Sequence, residues 1–237
     1  MSEEYTPDNL LDRVTSRERM GRQYEREEAR EQVLLSRHLG RHGGDVLSVG
    51  SGWLPGRHLF GAPEWRLTAV DLEEDRIRYA REQGLADAGF VGAAGALHEL
   101  PDASFDVVLY RYVLHHVAFH QPLAPVLAEA RRLLRPGGAA VVIEPGVFHP
   151  VGAALAVANR LGLGVRVHGT PDDIPLSPRA LARTARAAGL RPEVHAVSYS
   201  WRRLPVALQG AAGAFDGLGS LPGARWLGHT FLLIARR

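Results

Sequence analysis

The residues best suited to chemistry are histidines near an acid. The run YVLHHVAFHQP holds His115, His116 and His120, and EPGVFHP adds Glu144 and His149 further along. Imidazole gains and loses a proton near neutral pH, so it suits a general base that deprotonates an acceptor. His116 and His149 are the candidates for that role. His115 is the immediate neighbour of His116 and is expected to face the other way. Glu144 is expected to satisfy backbone donors or to touch an acceptor. The set does not read as a metal centre, because adjacent His115 and His116 do not readily face one ion and no H-E-x-x-H pattern occurs. Ser-His-Asp chemistry lacks its G-x-S-x-G elbow.

A second feature is the stretch DVLSVGSGWLPG, residues 45–56, where an apolar run ends in Gly50, Ser51 and Gly52. Small residues after a strand let the backbone approach a ligand and aim its N–H groups at a polar atom. Asp71 closes the next apolar run, RLTAVDL. An acid at that position can accept hydrogen bonds from both hydroxyls of a ribose, or can serve the helix that follows. A nicotinamide cofactor is disfavoured, since the sequence after Gly50 is Ser-Gly-Trp-Leu-Pro and lacks the third glycine of G-x-G-x-x-G.

Such residues need elements to carry them. DVLSVG (45–50), RLTAVDL (66–72), AGFVGAA (88–94), FDVVLYRYVL (105–114) and AAVVIEPG (139–146) read as strands. Helical patterns at 73–84 and 122–138 lie between them. Short apolar runs alternating with helices predict a parallel sheet covered on both faces. Residues 8–39 form a charged helical segment that is expected to dock by its late apolar members Val33, Leu34 and Leu35. Helices are expected at 150–164 and 177–192, the second with Ser177 as N-cap and Pro178 in its first turn. Strands at 193–201 and 229–237 complete the pattern.

The run VLSVGSG…TAVDLEEDRIRYARE…LPDASFDVVLYRYVLHHV…EARRLLRPGGAAVVIEPG resembles the class I S-adenosylmethionine-dependent methyltransferases of the small-molecule type over residues 45–146. The resemblance implies an α/β, Rossmann-like, doubly wound seven-stranded sheet with an antiparallel last strand. It implies S-adenosyl-L-methionine as cofactor, with S-adenosyl-L-homocysteine as product. Gly50, Ser51 and Gly52 would pass beneath the methionine portion, Asp71 would hold the ribose, and Leu72 would lie against the adenine. Ala93 and Ala94 would lie beside the adenine edge, with Tyr110 and Arg111 bordering the sulfonium and amino-acid end. Three positions depart from the family pattern: Ser48 and Ala93 replace acids, and Leu54 replaces a glycine. Each lost charge-assisted hydrogen bond is worth roughly 1.5–3 kcal/mol where desolvated, so weaker cofactor binding is expected unless other groups compensate. Tyr24, on the N-terminal helix, is a candidate to reach over the site as a lid.

These readings divide the chain into an N-terminal helical extension or lid, residues 1–44, and a methyltransferase domain, residues 45–237. Segments 145–176 and 200–228 are the least family-like and are expected to shape the acceptor pocket. The acceptor is expected to be a small molecule, natural product or sugar/glycan, methylated at oxygen. Arg202 and Arg203 could meet a carboxylate or phosphate.

Composition narrows the field. The chain of 237 residues has no cysteine and no lysine. Disulfides, thiolate nucleophiles, lysine Schiff bases and P-loop lysines are thereby excluded. Residues 1–147 hold 17 Arg against 22 acidic residues, and residues 148–237 hold 11 Arg against 4. That basic last part leaves an RNA-modifying methyltransferase as an alternative, but its arginines are scattered without aromatic interleaving, so nucleic acid is not the expected partner. A methyltransferase-like scaffold without turnover is the other alternative. With no apolar leader and no long apolar run, a cytoplasmic monomer or homodimer without a membrane span is expected.

Overall fold

The computed structural model describes residues 17–168, 171–201 and 203–237. Seven strands form one sheet: β1 (Gly44–Val49), β2 (Trp65–Asp71), β3 (Ala88–Val91), β4 (Phe105–Arg111), β5 (Leu134–Pro145), β6 (Arg191–Ser198) and β7 (Thr230–Arg236). Their order is β3-β2-β1-β4-β5-β7-β6. β1, β2, β3, β4 and β5 run parallel, whereas β7 is antiparallel to both β5 and β6. The chain winds outward from β1 in one direction and from β4 in the other. A crevice therefore opens where the carboxyl ends of these two neighbours meet, with Val49 opposite Tyr110.

Strand periodicity divides the core in two. Leu47, Val49, Val108, Tyr110 and Val142 pack on one face against α4 (Leu123–Leu133) and α7 (Pro178–Ala187). Val46, Leu67, Val107, Leu109 and Val141 pack on the other, against Leu34 and Leu35 of α1 (Arg17–His38) and Ile77 and Ala80 of α2 (Glu74–Glu82). Ser177 caps α7, accepting from the Ala180 N–H, with Pro178 in the first turn as expected.

Several boundaries differ from expectation. β4 stops at Arg111, and Tyr112 turns the chain with φ +54° into an additional short helix, α3 (Leu114–His120). No local residue caps α3. Glu144, on β5, accepts from the N–H groups of Val113 (2.8 Å) and Leu114 (2.6 Å). The helix start is thus fixed by a distant acid that no local pattern reveals. α4 ends at Leu133, and the strand begins at Leu134, ahead of the Pro-Gly-Gly run rather than after it. Segment 145–176 carries α5 (Pro150–Arg160) and α6 (Gly164–His168), and α8 (Val206–Gly213) lies within 200–228. α1 docks by more than its apolar end. Leu34 and Leu35 are buried and Val33 is exposed, while Gln23, Glu27 and Glu31 are buried as well.

Candidate functional site

A cavity of about 800 Å³ opens at the carboxyl ends of β1, β2 and β4. Its size is that of a typical cofactor or ligand site. Nine of the ten expected cofactor-side residues line it: Tyr24, Gly50, Ser51, Gly52, Asp71, Leu72, Ala93, Ala94 and Arg111. The local geometry follows from backbone needs. Gly50 sits at φ +64°, and a Cβ there would lie 2.2 Å from the Val113 side chain. Gly52, at φ +54°, faces open space.

Asp71 organises the turn. One carboxylate oxygen accepts from the Gly52 N–H (2.8 Å) and the other from the Glu73 N–H (3.1 Å). Arg76 stands 3.5 Å away. Each carboxylate oxygen has two acceptor sites, so capacity remains for ligand hydroxyls. The irregular middle of the loop is anchored: Trp53 meets Tyr79 edge-on at 5.3 Å, and Arg76 lies over its ring at 6.0 Å.

S-adenosylmethionine fits this cradle on two observations. The Ser51 hydroxyl is buried at the cavity wall without a hydrogen-bond partner, so a polar ligand group would satisfy it. Leu72, beside Asp71, is 72% exposed and offers an apolar face for an aromatic base.

Tyr110 does not reach the cavity. It is fully buried on the α4 face of the sheet, its hydroxyl toward the Val126 carbonyl at 3.5 Å. The alternation of β4 turns it away from the crevice, and Arg111 and Tyr112 border the cavity instead. The Arg111 guanidinium is committed to α1, with Nε donating to Glu31 (3.0 Å) and Nη2 to Glu28 (3.4 Å). Burial opposes its charge, but Glu31 and the other acids of α1 raise its pKa. Tyr112 donates its phenol proton to Glu27 at 3.1 Å. Burial, reinforced by Glu27 and Glu31, pushes the Tyr112 pKa well above the ordinary tyrosine value, so it remains a donor.

A second, smaller chamber of about 230 Å³ adjoins the first, sharing Tyr24, Tyr112 and His116 with it. Pro145, Gly146, Gly152, Leu155, Asp173 and Pro175 line it from segment 145–176, and Trp201 and Arg203 from segment 200–228. Arg202 lies outside the described residues.

His115 lines this chamber, contrary to the expectation that it faces away. Its Nδ1 is 2.5 Å from Glu144 Oε2, and its Nε2 is 3.5 Å from Asp173 Oδ1. With Nδ1–H donated to Glu144, Nε2 is the nitrogen on the side of Asp173, which lines the same chamber. His116 faces both cavities, its Nδ1 2.9 Å from Asp172 Oδ2. The two rings lie 4.0 Å apart. Sequence reasoning had named both partners, but it missed their pairing, because β5 brings Glu144 to α3 only in the folded sheet.

His149 lines neither cavity. Its Nδ1 accepts from the Val151 N–H (3.2 Å), capping α5, which leaves Nε2 to donate to the Tyr199 carbonyl (3.1 Å). With both nitrogens used by the backbone, it holds the helix start and is not placed to act as a base.

Residues 47–142 match the family model described as a methyltransferase domain. Over 120 residues the chain is 36% identical to an uncharacterised 37.1 kDa protein in transposon TN4556 of Streptomyces fradiae, covering 48% of this chain and 33% of that one. Over 101 residues it is 36% identical to the ubiquinone/menaquinone biosynthesis C-methyltransferase UbiE of Dinoroseobacter shibae, covering 40% and 39%. The matched segments thus span a third to two-fifths of these curated relatives. Among solved structures, a SAM-dependent methyltransferase of Thermotoga maritima superposes with a TM-score of 0.63 at 16% identity, covering 92% of this chain and 93% of that one.

Sheet order, crevice and sequence match agree: residues 47–142 match a methyltransferase domain, and the chain has the fold of the class I S-adenosylmethionine-dependent methyltransferases. S-adenosylmethionine is the cofactor that this family and fold imply. Among the described residues, no helix is long and apolar enough to cross a membrane.

Proposed function

We propose that the protein transfers a methyl group from S-adenosylmethionine to an oxygen of a small polar acceptor held in the 230 Å³ chamber. The observation that carries this reading is the His115–Glu144 pair at 2.5 Å, set in a chamber that shares three residues with the cofactor-sized cavity. S-adenosylmethionine, when bound, supplies a sulfonium-activated methyl group open to in-line displacement. Gly50, Ser51, Gly52 and Asp71 hold the cofactor, with Leu72, Ala93 and Ala94 against its base. Tyr24 and α1 roof the junction and exclude water, compensating in part for the acids absent at Ser48 and Ala93.

His115 would take the acceptor hydroxyl's proton on Nε2 as the methyl group passes from sulfur to that oxygen, the S–CH3 bond breaking to leave S-adenosylhomocysteine. Glu144 holds the opposite nitrogen and steadies the imidazolium. His116, paired with Asp172, borders the acceptor and is the second candidate for proton transfer. Arg111 carries no uncompensated charge toward the sulfonium, because Glu28 and Glu31 neutralise it.

A second reading, transfer to an acidic carbon, is favoured by the likeness to a C-methyltransferase. It would use the same base.

Calorimetric titration with S-adenosylmethionine and S-adenosylhomocysteine, on the wild type and Asp71→Ala, tests the cofactor role. Micromolar binding that is lost in the variant supports it. Absence of binding by the folded wild type would overturn it in favour of a scaffold without turnover.

A further inference from the structure

Away from both cavities, the C-terminal end of α1 meets the edge strand β6. His38, Glu193 and His195 converge there, with one potential ligand atom from each lying within 4.8 Å of the others. Glu193 Oε1 is 3.5 Å from His38 Nδ1 and 3.1 Å from His195 Nε2. Around a tetrahedral zinc ion with bonds of 2.0–2.1 Å, ligand atoms stand about 3.3 Å apart, which is the spacing found on both sides of this carboxylate oxygen.

Three further observations separate the cluster from an ordinary surface ion pair. His195 is only 3% exposed, and its buried Nε2, although 3.1 Å from Glu193 Oε1, is not aligned with it for a hydrogen bond. A polar atom left that way is costly unless something binds it. The other nitrogen of His195 is already engaged, with Nδ1 3.2 Å from Ser220 Oγ, and this fixes the ring with Nε2 toward the cluster. Arg236 lies 3.5 Å from Glu193 Oε2, leaving Oε1 for the two imidazoles. The rings of His38 and His195 lie 3.9 Å apart and tilted by 34°. His38, about a quarter exposed at the end of its helix, is the ligand able to adjust.

We infer that His38, Glu193 and His195 form a binding site for a divalent transition-metal cation of the zinc type, which clamps the end of the N-terminal helix to the sheet edge. Two imidazoles and one carboxylate suit zinc and leave a coordination position for water. Arg236 lowers the affinity by repulsion, so a micromolar site is expected. The bound ion would favour the docked position of the helix that roofs the cofactor cavity. The ligand geometry stands without the methyl-transfer reading.

The test is titration of the metal-free full-length protein with zinc chloride alone, read by calorimetry and by thermal melting. One Zn²⁺ per chain is expected, with a raised melting temperature. His38→Ala and Glu193→Gln should each weaken binding at least tenfold and abolish the thermal shift. His98→Ala, at a histidine outside the cluster, should leave both unchanged. His38 is partly exposed, so its variant remains interpretable if substitutions at buried His195 fail to fold. No binding by the wild type, or equal binding by His38→Ala and Glu193→Gln, would overturn the proposal.

Discussion

The Tyr112 phenol donates to Glu27 across the gap between the end of β4 and α1, at 3.1 Å. Tyr112 lies in the wall shared by both cavities, and Glu27 is only 2% exposed. One hydrogen bond therefore joins roof to floor where cofactor and acceptor would meet. Tyr112→Phe keeps the ring and removes the donor. A hydrogen bond to a charged group contributes about 1.5–3 kcal/mol, so chemical denaturation should show a loss in that range. Calorimetry should show weaker S-adenosylmethionine binding as the roof loosens. An unchanged denaturation midpoint would mean that α1 is held without this contact.

His115→Gln removes the proposed base and retains an amide that can still donate to Glu144. The expected outcome is a fall in kcat of about 10²- to 10⁴-fold. Cofactor affinity should change little, since His115 lies on the acceptor side. Measuring kcat and S-adenosylmethionine Kd on one preparation distinguishes loss of the base from loss of the cradle. If His116→Gln gives the larger fall, the proton passes to His116.

Gly50→Ala would place a Cβ 2.2 Å from Val113 at a backbone φ of +64°. Positive φ at a non-glycine residue costs on the order of 1 kcal/mol or more, and the clash adds to it. A drop in Tm together with weakened S-adenosylmethionine binding is expected. Gly52→Ala is the informative comparison: it shares the backbone strain but meets no protein atom within 4 Å. It should destabilise the fold less while still crowding the ligand.

His149 supplies a pH-dependent term. Burial lowers its pKa from the ordinary 6.5, with the hydrogen bond to Tyr199 opposing in part. Below about pH 6.5 the unfolded chain takes up a proton that the folded His149 resists, so this contribution to stability falls as the pH drops toward the folded pKa. Protonation also removes the lone pair that caps α5. Melts from pH 8 to pH 5 should show a smaller decline in His149→Asn than in the wild type. Above pH 7 the cap itself is tested by His149→Ala, at a cost of about 1 kcal/mol.

Much of the fold was legible because the strands are short apolar runs at regular spacing. Gly50, Gly52 and Asp71 could be found because a tight turn at positive φ and an acid that accepts from its backbone demand those residue types after those strands. The acceptor side was less open to reading. Tyr110 and Arg111 are neighbours, and only the pleat of β4 decides that one is core and the other lines the crevice. His115 and His116 seemed to face opposite ways, but at the start of α3 both border the chamber. The position of α3 depends on Glu144 reaching two backbone N–H groups from another strand. His149 looked like a base by type, yet the Val151 N–H at the start of α5 and the Tyr199 carbonyl claim its two nitrogens. For α3 and for one nitrogen of His149, the deciding contact is distant in sequence.

The roof helix has a consequence for biogenesis. Gln23 donates to Ser198, Arg30 to the Asp216 carbonyl, and the His38 carbonyl accepts from Arg236. On the ribosome, the first helix emerges well before its partners on β6 and β7. The strands flanking the crevice can pair, and meet α1 through Arg111 and Tyr112, while the helix still lacks these three later anchors, because long-range contacts close only after the intervening chain is made. A chain interrupted before β6 would therefore hold its roof by the contacts to Arg111, Tyr112 and the strand core alone, without the bonds that tie both ends of the helix to the far edge of the sheet.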